Sequence, residues 1–111
     1  MTHTPLRALS DELLPEANAS ASGLARRMVT AGSAFQQLAL RLNAGGEFPD
    51  HANPGQATLL VVEGSVRFIE IDSGREHALR SGDLITVPDV LHRVVADEVS
   101  LLLLSFAVLP S

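Results

Sequence analysis

The sequence contains no cysteine, lysine, tyrosine or tryptophan. Each absence removes a class of chemistry. Without cysteine there is no disulfide, no thiolate zinc site, no iron–sulfur cluster and no thiol nucleophile. Without lysine there is no Schiff base and no P-loop lysine to hold a phosphate. Without tyrosine no phenol can serve as an acid, and without tryptophan no indole can stack on a sugar ring. Phe35, Phe48, Phe68 and Phe106 are the only aromatics, so a mostly aliphatic pocket is expected rather than a carbohydrate platform. Long apolar runs are missing as well. The longest, Leu101–Leu109, is broken by Ser105 and falls far short of the ~20 residues of a membrane-spanning helix. The first residues carry no basic stretch leading into an apolar run, so no secretory leader is expected and a cytoplasmic location is the default.

All eight basic residues are arginines, scattered singly or in pairs through a chain of net charge −5. A nucleic-acid surface concentrates positive charge against phosphates, and an anionic membrane asks for the same. Neither partner is expected. Nucleophile-elbow, zinc-protease and dinucleotide-binding motifs are absent too. What chemistry the chain has must come from His, Asp, Glu, Arg, Ser or Thr, or from a bound metal.

What is present reads as one domain of short strands. The 111 residues are 46% apolar, enough for a single core without staples. Residues 24–111 alternate and turn at the spacing of an all-β sandwich or barrel. Ala34–Leu42 places Leu38, Leu40 and Leu42 on one face and Gln37, Ala39 and Arg41 on the other, the period of a half-buried strand. Thr58–Val62 and Ser65–Ile71 flank Glu63-Gly64, which predicts a two-residue hairpin. Arg75–Arg80, Leu84–Val87, His92–Ala96 and Ser100–Val108 bring the set to about eight strands, with turns at Asp72-Ser73-Gly74 and Ser81-Gly82-Asp83. Residues 1–23 differ and read as a partly ordered N-terminal arm. There Leu9, Leu13 and Leu14 offer apolar anchors, Ser10 predicts the start of a short helix, and Pro15 its end.

Two segments carry a family resemblance. Gly46-Glu47-Phe48-Pro49-Asp50-His51-Ala52-Asn53-Pro54-Gly55, followed by Leu59–Gly64, resembles the first cupin motif. Gly82–Pro88, followed by Val90-Leu91-His92-Arg93-Val94, resembles the second. The resemblance implies a small RmlC-like cupin, a jelly-roll double-stranded β-helix. It also implies a divalent metal site in the barrel, built in the family from three histidines and a glutamate. Imidazole with carboxylate suits Fe, Mn, Ni or Zn. His51 and His92 match the first and last histidines. Asn53 replaces the second, and the glutamate position falls on Ala57 or Thr58. Asn53, Gln56 or water would have to complete such a site, so the metal is expected to be weakly held or absent.

The expected pocket is lined by Phe48, Leu38, Leu40 and Val94. Each polar residue also has a plain structural reading. His92 alternates with Val94 and Ala96 and can be satisfied by a backbone carbonyl, His77 is expected at the surface near a hairpin, and Asp83 in a turn. Glu47 or Asp50 could orient the His51 ring, and Arg93 should point outward. Three functions compete: a module binding a small molecule in the barrel, a metal-dependent oxygenase or isomerase using His51 and His92, and a structural or regulatory dimer with a vestigial pocket. Ser100–Val108 is apolar on both faces, which calls for cover on both. A homodimer is expected to provide the outer cover, with the Leu9–Leu14 arm as the other candidate.

Overall fold

The computed structural model describes residues 3–51 and 55–108, with positions 50 and 51 described by backbone only. Nine strands follow one another: β1 (Leu24–Ala31), β2 (Phe35–Leu42), β3 (Glu47–His51), β4 (Ala57–Glu63), β5 (Ser65–Glu70), β6 (Glu76–Arg80), β7 (Leu84–Thr86), β8 (His92–Ala96) and β9 (Ser100–Ala107). They form two antiparallel sheets, one in the order β1-β2-β9-β4-β7 and one in the order β3-β8-β5-β6. Alternate residues of each sheet point into a shared core. Leu40, Leu59, Val61 and Leu102 come from the first sheet, and Val66, Phe68, Val94 and Ala96 from the second.

The Glu63-Gly64 pair does not turn a hairpin. β4 belongs to the five-stranded sheet and β5 to the four-stranded one, so the chain changes sheets at Gly64. This corner lets the apolar faces of both strands meet across the core instead of lying side by side. Gly64 has φ +96°, and a Cβ there would come within 2.5 Å of the Val99 carbonyl oxygen and 2.7 Å of Ser100 Cα. Only glycine suits that backbone. The expected turn at Asp72-Ser73-Gly74 does join β5 to β6 as an antiparallel pair.

The arm is helical: α1 spans Leu6–Glu12 and α2 spans Leu14–Ala19. Leu9, Leu13 and Ala17, spaced four apart along one face, are buried against Ala25 and Ala39 on the outside of the five-stranded sheet. Pro15 does not end the first helix; it sits in the first turn of the second, where its missing N–H is not needed. Ser10 is not a cap but a buried residue inside α1. The arm also changes the reading of β2. Its second face is not wet, because Ala39 and Arg41 are buried beneath the helices together with the inward-facing Leu40 and Leu42.

Candidate functional site

The four-stranded sheet sets three polar residues in a row. β3 pairs with β8 so that His51 is the Cα partner of His92, and β8 pairs with β5 so that His92 is the Cα partner of Glu70. The His51 side chain and Asn53 lie outside the described residues. His92 is 2% exposed. Its Nδ1 lies 2.7 Å from the Val90 carbonyl oxygen. A carbonyl only accepts, so Nδ1 is the donor in this contact. The Phe68 ring stacks on the imidazole with centroids 4.5 Å apart and planes 25° from parallel.

Among the described residues, a small cavity borders His92 in the barrel interior. Leu40, Phe48 and Val94, three of the four residues expected to line the pocket, border it with Phe68, Leu59 and Leu104. Its volume is about 10 Å³, room for about one water. Leu38 packs against the margin of the core and does not border this cavity. Glu47 reaches Arg93 at 3.9 Å on the outside. Asp83 accepts from the Arg80 amide at 2.9 Å within its turn.

Of the remaining positions expected to complete a metal site, the described ones are Ala57, Thr58 and Gln56. The expected carboxylate position is Ala57, a buried residue with no donor atom. Thr58 pairs in register with Thr86 and Ser105, and Gln56 is exposed. Among the described residues, no three His, Asp or Glu side chains converge to hold a metal ion.

A larger concavity lies at the open edge of the sandwich, between the β5–β6 hairpin and β7. It measures about 580 Å³, and Phe68, Glu70, His77, Leu79, Ile85 and Pro88 are among the residues that line it. Within it Glu70 Oε2 lies 2.6 Å from His77 Nε2. The Glu70 side chain is 19% exposed and that of His77 46%. His77 is exposed, as expected of a residue near the hairpin, and it also borders the concavity. It is the Cα partner of Phe68, so it lies on the barrel-facing side of β6, and the two rings stand 6.1 Å apart. Phe68 thus has ring contacts to both imidazoles, and Glu70 is the neighbour of both histidines. The sequence held the signal for the Glu70–His77 pair. Val66, Phe68 and Glu70 alternate on one strand, His77 and Leu79 on the next, and the turn between them sets the register.

Comparison with known proteins fits this architecture. The family model described as "Cupin domain" matches residues 39–105. The chain belongs to the cupin family. No match to a curated protein is found. Among solved structures, this cupin is similar to an RmlC-like cupin from Shewanella frigidimarina, at 25% identity and TM-score 0.69, covering 78% of each chain. It is also similar to the polyketide cyclase RemF from Streptomyces resistomycificus, at 20% identity and TM-score 0.68, covering 76% of this chain and 64% of that one. The salicylate 1,2-dioxygenase of Pseudoaminobacter salicylatoxidans aligns at 20% identity and TM-score 0.73, covering 89% of this cupin and 32% of the enzyme. These likenesses concern the fold. Enzymes of different chemistry share it, so function has to be argued from the site.

Proposed function

We propose that this cupin binds a small, largely apolar molecule in the groove between the β5–β6 hairpin and β7. The observation that carries this reading is the groove itself, about 580 Å³ with apolar walls around the Glu70–His77 pair. Small-molecule sites commonly enclose roughly 300–1,000 Å³, with apolar walls and a few convergent polar groups. The groove meets that description. Phe68, Leu79, Ile85 and Pro88 supply the walls, and Glu70 with His77 supplies the polar groups. Burying the Glu70 carboxylate against an imidazole contributes little to stability, since partly exposed ion pairs are worth about 0–1 kcal/mol. A binding role accounts better for a pair placed on otherwise apolar walls.

Among the described residues, no three His, Asp or Glu side chains converge on a divalent metal. His92 is held by Val90 and Phe68, Ala57 offers no donor, and any ion there would be weakly held. The experiment is to add a panel of small aromatic and alicyclic compounds and follow backbone amide shifts by NMR. Shifts at Ala78, Leu79 and Ile85 are expected. Shifts confined to the residues around His92, or none at all, would defeat the groove assignment.

A further inference from the structure

Resting on the groove reading above, we propose that Glu70 and His77 form a proton-transfer dyad. It would act on a neutral carbonyl compound that has an acidic α C–H and an apolar body. Among the described residues that line the groove, these two are the ones that can titrate. Glu70 is held firmly. Its strand is paired on both sides, its amide donates to the Arg75 carbonyl at 2.8 Å, and its side chain is four-fifths covered. His77 sits on the edge strand β6 and keeps 46% of its side chain exposed. One residue is fixed and largely covered; the other is reachable.

The hydrogen bond assigns the roles. A carboxylate oxygen accepts, so His77 Nε2 is the donor in the 2.6 Å contact, which leaves Nδ1 as the ring nitrogen that can take a substrate proton. A carboxylate that fixes the tautomer and stabilises the imidazolium is what a general-base histidine needs. The walls select the substrate. Phe68, Leu79, Ile85 and Pro88 favour an apolar body, and a substrate carboxylate would meet the charge of Glu70.

The step balances without a further reactant. His77 Nδ1 takes the α-proton, and the C–H electron pair becomes the C=C of the enolate as the carbonyl π electrons move to oxygen. The imidazolium then returns the proton to oxygen, giving the enol, or to carbon. His77 is the catalytic residue, because it meets the substrate. Glu70 is a positioning residue that acts through it.

The test incubates the full chain with phenylacetone and with cyclohexanone in heavy water and follows loss of the α-proton signals by NMR. Amide shifts at Ala78 and Ile85 report binding, and ring-nitrogen NMR reports the His77 tautomer. The wild type is expected to exchange α-protons on the order of a hundredfold faster than buffer. His77→Asn should return the rate to that of buffer. Glu70→Gln should lower it at least about tenfold and remove the tautomer preference, which a purely structural carboxylate would not control. Both positions are partly exposed, and thermal unfolding of each variant checks that it is folded. Binding shifts without accelerated exchange would overturn the dyad and leave the groove reading standing. No shifts with either ketone or with any compound of the panel would overturn both, and exchange that survives His77→Asn would overturn the dyad alone.

Discussion

Arg41 reaches beneath the N-terminal arm and donates from Nη1 to the Ser10 carbonyl oxygen at 2.7 Å and to Ser10 Oγ at 3.1 Å. Its Nε and Nη2 both point to Asn43 Oδ1, at 3.3 and 3.2 Å. The residue is 6% exposed, so a buried guanidinium fastens helix α1 to strand β2 through neutral acceptors. Hydrogen bonds to charged groups are worth about 1.5–3 kcal/mol. Arg41→Met keeps the stem but strands the Ser10 carbonyl, and should cost about 2–3 kcal/mol in urea denaturation. Arg7→Ala is the control. It removes an ion pair to Glu63 whose arginine side chain is 81% exposed, and should change stability by less than about 1 kcal/mol. Equal losses in the two variants would mean that Arg41 is not the fastener.

Gly64→Ala should be among the most damaging single-methyl additions in the chain. The new Cβ would meet the Ser100 side chain, the Val99 carbonyl and Ser100 Cα at a backbone of φ +96°. Two of these are backbone atoms, which cannot rotate away. Strain of this kind costs about 1–3 kcal/mol before the steric overlap is added. Gly74→Ala, also at positive φ (+74°) but with nothing within 4 Å, should show the backbone cost alone. A Gly64→Ala variant as stable as Gly74→Ala would mean that the sheet-changing corner can make room for a methyl group.

His92 should prove structural. It is buried, stacked on Phe68 and bonded to Val90. His92→Leu leaves one carbonyl without its donor, and should cost about 1–3 kcal/mol. Elemental analysis after dialysis should find transition metal well below stoichiometric in wild type and variant alike. Stoichiometric Fe, Mn, Ni or Zn in the wild type, lost in His92→Leu, would instead make His92 a ligand and return the barrel interior to function.

Much of this fold can be read from residue patterns, and the failures have physical causes. The alternation of Leu59 and Val61, of Val66 and Phe68, and of His92, Val94 and Ala96 matches their burial in the shared core. β1 escapes such a reading because Arg26 and Arg27 interrupt its apolar pattern, as suits a strand at a sheet edge. The Glu63-Gly64 corner has the local signature of a hairpin. Only the pairing of β4 with β9 and β7, which is non-local, shows that it is not one. In the site, motif matching leads to His51 and His92 but not to Glu70 and His77, which belong to neither motif. They come together through hairpin register, and pairing Phe68 with His77 across the Asp72-Ser73-Gly74 turn would have found them.

The last prediction concerns self-association. Strand β9 is apolar on both faces, and helix α1 supplies part of the outer cover, with Leu101 fully buried and Arg41 beside it. The cover does not extend across the sheet. Register places Leu103, Leu60 and Leu84 in one row on the outer face. Leu103 and Leu60 are half-buried, and Leu84, on edge strand β7, is 63% exposed. We propose that a second copy meets this row across a two-fold axis, the commonest symmetry of soluble oligomers. A specific interface buries roughly 1,200–2,000 Å² in all, so the row would be its centre rather than its whole. Light scattering at micromolar concentration should give twice the mass of the chain, and Leu84→Glu should return it to a single chain mass without loss of fold. A monomeric wild type would mean that the helical arm is all the cover β9 requires. A dimer indifferent to Leu84→Glu would place the contact on another face.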